Sequence, residues 1–315
     1  MTFAVVFPGQ GSQSVGMLAE LAAAEAVVGE TFAEAADVLG RDLWALAQAG
    51  PAAALADTRT TQPLMFTANH AVWRALDAHG LPTPAAFAGH SLGEFNALVA
   101  AGAIGFAEAL ALVQKRADLM ATAVPEGEGG MAAILGLDDD RIVAICESIT
   151  GERVSEAVNF NSPGQVVISG HVDALEKTIA AATEAGARKG MMLPVSVPNH
   201  ASLMRPAGEA LAVEMQALAW QDAQVPVVQN ADARAASSAS DLLASLVEHV
   251  YNPVRWARTV EVLRDDFGVD TIIESGPGKV LAGLGKRIDR SLTHLPVFSP
   301  ETLAAALTEL TSRSS

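Results

Sequence analysis

"FAGHSLGEFNALVAAG", Phe87 to Gly102, decides how the rest of the chain is read. A serine stands in Gly89-His90-Ser91-Leu92-Gly93, with an apolar stretch before it and a helix-forming run after it. The pattern is the G-x-S-x-G nucleophile elbow, in which a strained strand-to-helix turn lifts a serine out of a sheet. The motif recurs by chance, so its context matters. "PAAFAGHS" supplies the incoming strand and Leu92–Ala101 the outgoing helix. Ser91 is therefore expected to be a nucleophile and not merely a helix cap, although the helix N-terminus also favours developing negative charge.

Outward from the elbow the chain alternates strands and helices, the pattern of an α/β protein with a largely parallel sheet. "FAVVFPG" predicts a first buried strand and a Gly-rich turn. Helices are expected near Ser14–Leu21, Val28–Leu39, Leu64–His79 and Phe106–Ala123. "ARAASSASD", Ala233 to Asp241, predicts an exposed loop leading into a helix. The middle differs. "GEGG" (Gly127–Gly130) predicts a hinge, followed by strand "MAAILGL", helix "DDDRIVAICESI", strands "VSEAVNFN" and "QVVISG", helix "VDALEKTIAAATEAG" and strand "RKGMMLPVS". That β-α-β-β-α-β order is ferredoxin-like. Residues 127–197 are thus expected to be a small inserted domain, and residues 1–126 and 198–315 the large one, with a cleft between them.

Composition narrows the function classes. Half of the 315 residues are hydrophobic, enough for a sizeable core. No apolar run approaches the ~18 residues of a membrane span. The N-terminal "MTFAVVFPGQGSQ" lacks a basic region and breaks at Pro8, unlike a signal peptide. The single cysteine, Cys146, excludes an intrachain disulfide and fits a reducing cytoplasm; its apolar helix face makes it core, not reactive. A formal charge of −16 argues against nucleic acid and anionic membranes as main partners.

A serine nucleophile needs a base. His90 adjoins Ser91 in sequence and is expected to point elsewhere across the sharp turn. His200, in "LPVSVPNHASLM", follows the return strand from the small domain; His249, in "LVEHVYNPVRW", is its rival. No carboxylate stands out as a third member, so a dyad is expected, with a backbone carbonyl orienting the imidazole. "FPGQGSQSVGM" lacks the Gly-Lys-Ser/Thr of a phosphate loop and the third glycine of a dinucleotide fingerprint. It is either a plain tight turn or a set of N–H groups completing an oxyanion hole. Arg116 borders the apolar face formed by Leu110, Val113, Ala117 and Met120. It either snorkels or is held inward to pair an anion, bidentately if a carboxylate.

Taken together, "FPGQGSQ", "TQP", "GHSLGEF", "LVQKRADLM", "AVNFNSPGQVVISG", "VPNHASLM", "YNPVRW" and "ESGPGKVLAGLGKRI" resemble the malonyl-CoA:acyl carrier protein transacylases of bacterial fatty-acid synthesis. The resemblance spans nearly the whole chain. It implies an α/β-hydrolase-like large domain with an inserted ferredoxin-like small one, no cofactor, and a cytoplasmic, monomeric enzyme. It also implies Ser91 as the acylated nucleophile, His200 as its base, and the N–H groups of Gln10 and Leu92 as the oxyanion hole. Arg116 is implied to hold the malonyl carboxylate, with Asn161 and the His249 carbonyl near the site. Two positions depart from the pattern. The family usually has Gln where His249 stands, and Ser or Phe where Asn199 precedes the base, a position associated with acyl selectivity.

The partners implied are malonyl-CoA and an acidic acyl carrier protein. Its docking is expected on Lys279, Lys286, Arg287 and Arg290, with Arg188 and Lys189 beside them. Three other readings compete: a trans-acting polyketide acyltransferase, suggested by "GEFNAL"; a serine esterase, which would not need Arg116; and a carrier-docking module without catalysis, which would not need Ser91 and His200.

Overall fold

The computed structural model describes residues 2–312, so residue 1 and residues 313–315, the ends of the expected large domain, lie outside the described residues. Among the described residues, ten strands form two sheets. In chain order they are β1 (Phe3–Phe7), β2 (Ala86–Gly89), β3 (Gly129–Leu135), β4 (Ser155–Ser162), β5 (Gln165–His171), β6 (Lys189–Met192), β7 (Val227–Val228), β8 (Ala235–Ala236), β9 (Thr271–Ser275) and β10 (Thr293–Val297).

The first sheet runs β10-β9-β1-β2-β7-β8 and is parallel except for the β7–β8 pair. Its central strands "FAVVF" and "AFAG" are buried at every position. Continuous apolar runs are what a parallel sheet covered on both faces requires. Helix Thr58–Ala78 carries much of one face, its first turn capped by Asp57, whose Oδ1 accepts from the Arg59 N–H at 2.9 Å. Pro63 is accommodated early in that helix.

The second sheet has the order β4-β5-β3-β6 and is wholly antiparallel. Helices Asp139–Ile149 and Val172–Glu184 pack on one face, burying Ile142, Cys146, Leu175 and Ala182 against Ile134 and Ile168. The small sheet is joined through the backbone to the segment before helix Trp256–Asp265. Val254 donates to the Val158 carbonyl at 2.7 Å, and the Phe160 N–H donates back to the Val254 carbonyl at 2.9 Å.

Several local expectations are corrected. Ser14 is irregular, residues 15–18 form turns, and the first helix covers only Ala19–Ala24, because Leu18 at its N-terminus holds a left-handed φ of 61°. Two short helices, Leu43–Ala49 and Ala52–Ala56, were not expected from the sequence. Gly129 and Gly130 open β3, so half of the expected hinge is strand, paired with Gly170 and His171 of β5. The predicted loop 233–241 contains β8 and the start of helix Ala239–Glu248, capped by Ser238. The return strand ends at Met192, and irregular chain leads from there to His200.

Candidate active site

The groups singled out in the sequence converge at the carboxyl ends of the parallel strands, where open α/β sheets place their ligands. β1 delivers Gly9 and Gln10, β2 delivers His90 and Ser91, and β7 delivers Gln229 and Asn230. The elbow is as tight as its glycines allow. A Cβ on Gly89 would lie 1.9 Å from the Gly93 carbonyl carbon, and one on Gly93 would lie 2.0 Å from the Phe7 oxygen. Only glycine lets the outgoing helix pass so close to β1 and β2. The His90 N–H donates to the Phe7 carbonyl at 2.9 Å, and Ser91 sits at φ 51°.

Ser91 Oγ lies 2.7 Å from His200 Nε2. His200 Nδ1 faces two backbone carbonyls, those of His249 at 3.0 Å and Asn252 at 3.1 Å. Carbonyls accept only, so the Nδ1 proton stays there and Nε2 is left as the acceptor for the Ser91 hydroxyl. Burial pushes the His200 pKa down to about 3, and the Arg116 cation nearby adds to the shift. The imidazole is therefore neutral at pH 7.

Arg116 is 1% exposed. Nη1 donates to the Gln62 side chain, Nη2 to Ser91 Oγ at 3.4 Å, and the guanidinium lies 5.9 Å from the centre of the Phe95 ring. Its Nε has no partner among the described residues. Burial lowers its pKa to about 10, and Glu94 opposes that shift, so the cation persists at pH 7. Lys115 and Asp118, its helix neighbours, face outward into exposed ion pairs.

The Gly9–Gln10 turn lies against the elbow. A Cβ on Gly9 would lie 2.8 Å from the His90 oxygen and 3.6 Å from Ser91 Cβ. Neither the Gln10 nor the Leu92 N–H donates to another group among the described residues. Both are therefore free to face an oxyanion.

A cleft of about 290 Å³ opens on Ser91 between the two sheets. Asn161, Asn199 and His200 line it from the small-sheet side and the return segment, and Leu281 and Leu284 close its far wall. The Asn199 Oδ1 is buried without a partner among the described residues. His90, expected to point away, lines this cleft too; its Nε2–H donates to Asn161 Oδ1 at 2.7 Å, not to Ser91. His249 is 1% exposed and stands under the elbow, its ring Nε2 donating to the Ser91 carbonyl at 3.1 Å. The cationic residues expected at the surface, Lys279, Lys286, Arg287, Arg290, Arg188 and Lys189, are all exposed. Arg287 Nη1 donates to Gln165 Oε1 at 2.6 Å. Gln165 pairs with Leu135, which pairs with Lys189, so both groups of cations meet at one end of the small sheet.

Three site residues escaped the sequence reading. Gln62, in the quoted "TQP", gave no sign of holding Arg116. Glu94 and Asn230 carry no motif of their own. Asn230 Oδ1 accepts the Ser91 N–H at 2.7 Å, and its backbone N–H donates to Glu94 Oε2 at 2.9 Å. The one available signal is its place just past a short buried strand.

Fold and site together define the acyltransferase class of α/β enzymes with a serine elbow. The chain belongs to the acyl transferase domain family, which matches it over residues 4–299. It is 52% identical over 307 residues to the malonyl CoA-acyl carrier protein transacylase of Salmonella typhimurium, covering 98% of this chain and 99% of that one. The protein of the same name from Bacillus subtilis is 42% identical over 308 residues, covering 98% and 96%. Among solved structures, the malonyl CoA-acyl carrier protein transacylase (fabD) from Coxiella burnetii superposes with a TM-score of 0.96 at 44% identity, covering 99% and 98%. So does PlMCAT bound to AntF, described as a type II PKS acyl-carrier protein in complex with its malonyl-transacylase, at 48% identity, covering 98% and 100%, with a TM-score of 0.96.

Proposed function

We propose that this chain moves the malonyl group of malonyl-CoA to the phosphopantetheine thiol of an acyl carrier protein, supplying malonyl carrier for fatty-acid elongation. The observation that carries the reading is Arg116, a buried guanidinium within reach of the Ser91 oxygen. A malonyl group differs from acetyl by one carboxylate, and a planar fork of donors is the group that matches it.

The chemistry follows from the geometry. His200 Nε2 takes the Ser91 proton as Oγ adds to the thioester carbonyl. The oxyanion faces the Gln10 and Leu92 N–H groups and the positive end of helix Gly93–Ala100. The carbon–sulfur bond then breaks, and the proton on His200 passes to the departing coenzyme A thiolate. In the second half the carrier thiol gives its proton to His200 and attacks the seryl ester, and Ser91 recovers its proton. A cleft of about 290 Å³ is small beside ordinary ligand sites, and suits an acyl group with the end of a pantetheine arm.

The parallel-sheet unit serves as the α/β-hydrolase-like domain, residues 1–126 and 198–315, and residues 127–197 as a ferredoxin-like insert. The carrier docks on the cations gathered at the end of that insert. All the groups invoked come from one chain, and we take the monomer as the working unit. No helix among the described residues is long and apolar enough to cross a membrane. The free, buried thiol of Cys146, its pKa raised to about 11 by burial, suits a reducing compartment, and we place the reaction in the cytoplasm.

The test is intact-protein mass spectrometry after exposure to malonyl-CoA. One malonyl adduct is expected in the wild type and none in Ser91→Ala; an adduct that survives the substitution overturns the assignment. A second reading, transfer to a polyketide carrier, is favoured by the likeness to PlMCAT with AntF. Comparing kcat/KM for the two kinds of carrier separates them.

A further inference from the structure

The left-handed elbow is held from both sides by residues far away in sequence. A side-chain-bearing residue at φ 51° is in a disfavoured conformation, kept only where its surroundings demand it. The Ser91 N–H is taken by Asn230 Oδ1 at 2.7 Å, and the Ser91 carbonyl accepts from His249 Nε2–H at 3.1 Å. These partners lie 139 and 158 residues away along the chain. Asn230 is itself anchored: its Nδ2 donates to the Gly89 carbonyl at 2.6 Å and to the Glu94 carboxylate. His249 has a second hold. Its own carbonyl accepts from His200 Nδ1 at 3.0 Å, so one residue touches the nucleophile with its ring and the base with its backbone.

We propose that His249 is a positioning residue for acyl transfer, acting through its ring as well as its carbonyl, with Asn230 as its counterpart across the Ser91 peptide. The proposal rests on the function argued above. Two consequences of the geometry give the ring its part. It fixes the spacing of Ser91 and His200, since both are bonded to the same residue. It also aims an oxyanion donor. In the planar trans peptide joining Ser91 to Leu92, carbonyl and N–H point in opposite directions. The Ser91 oxygen is held by the Glu94 N–H at 3.0 Å and, from beneath the elbow, by the His249 ring at 3.1 Å, and the two together set the direction of the Leu92 N–H above it. The ring bond polarises that peptide and strengthens the N–H as a donor. A glutamine side chain also presents an N–H at the end of a short arm, so it can stand in for the ring bond.

The experiment uses the full chain and compares His249→Phe with His249→Gln. Phenylalanine keeps the backbone carbonyl and the ring but loses the N–H; glutamine restores a donor. Thermal melts establish that each variant is folded, and single-turnover acylation by malonyl-CoA is followed by quenched mass spectrometry beside steady-state kcat and KM. Loss of a complete oxyanion donor costs about 10²–10³ in rate, and misdirection of one costs less. His249→Phe is expected to acylate roughly 10–100-fold more slowly with KM nearly unchanged, and His249→Gln to recover most of the loss. His249→Phe acylating at the wild-type rate overturns the proposal, as does a loss that glutamine does not repair. Should His249→Phe not fold, His249→Met against His249→Gln makes the same comparison. Acylation of Ser91→Ala would instead overturn the serine assignment itself, so the two failures are distinguishable.

Discussion

Ser91 and His200 both hold left-handed backbone conformations, at φ 51° and 65°, with Oγ and Nε2 2.7 Å apart. Neither residue is a glycine, so each pays a conformational cost of about 1–3 kcal/mol to stand there. The His200 N–H is held by the Val250 carbonyl at 3.1 Å, close to the carbonyls that hold its ring. Nucleophile and base are thus preorganised by the same stretch of chain, 249–252.

The His200 imidazole is neutral far below its ordinary range, and this sets a pH dependence. Its native pKa is about 3 against 6.5 in the unfolded chain. Between those values the unfolded state binds a proton that the native state refuses, so the His200 contribution to stability falls as pH falls through 6.5 toward 3. Activity should show no ordinary histidine limb: acylation is expected to have no inflection at pH 6.5. Burial raises Glu94 to about 7, so a limb near pH 7 that vanishes in Glu94→Gln belongs to Glu94. Acylation rates from pH 8 to 5 in both proteins check this, and an inflection at 6.5 that persists in Glu94→Gln contradicts a buried, neutral His200.

Arg116 is expected to set acyl choice. Removing one partner of a buried charge pair costs about 3–5 kcal/mol, or roughly two to four decades in specificity. Arg116→Ala should lose that much kcat/KM for malonyl-CoA and little for acetyl-CoA. Arg116→Lys should recover only part, having the charge without the fork. The measurement is kcat/KM with both thioesters; equal losses for the two would make Arg116 a structural cation.

Carrier transfer is expected to be salt-sensitive despite the net charge of −16 on the enzyme. The cations at the end of the small sheet present a local field of the opposite sign to the whole. Reversing Lys286 and Arg287 to Glu should raise KM for the carrier by about tenfold while leaving acylation by malonyl-CoA unchanged. Transfer that ignores both the reversal and added salt would place docking elsewhere.

Much of this architecture was visible in the sequence because its signals are local. The elbow depends on glycines two residues either side of a serine, and the small sheet on strict strand and helix periods between turns. Arg116 stood out as a cation bordering an apolar helix face. What stayed hidden is set by packing at a distance. "LWALAQA" and "AAALA" form helices without a sharp polar-apolar rhythm, and β7 and β8 are two residues each. Asn230 and Glu94 matter through one another and through a peptide far upstream. His249 was legible as a rival base and, through the resemblance, by its carbonyl; where its ring would turn depended on the elbow arriving above it.

The bridge between β4 and Val254 uses only main-chain atoms, and the two ends of the insert run side by side, a Cβ on Gly129 falling 2.5 Å from Pro198 Cδ. A segment whose ends already meet asks little loop closure of the chain around it, and side chains cross the seam as well, from Arg287 to Gln165 and from Ser202 to Glu156. The chain thus enters and leaves the small sheet at one place beside the active-site cleft, so a strain on that sheet reaches His200 through only a few residues of backbone.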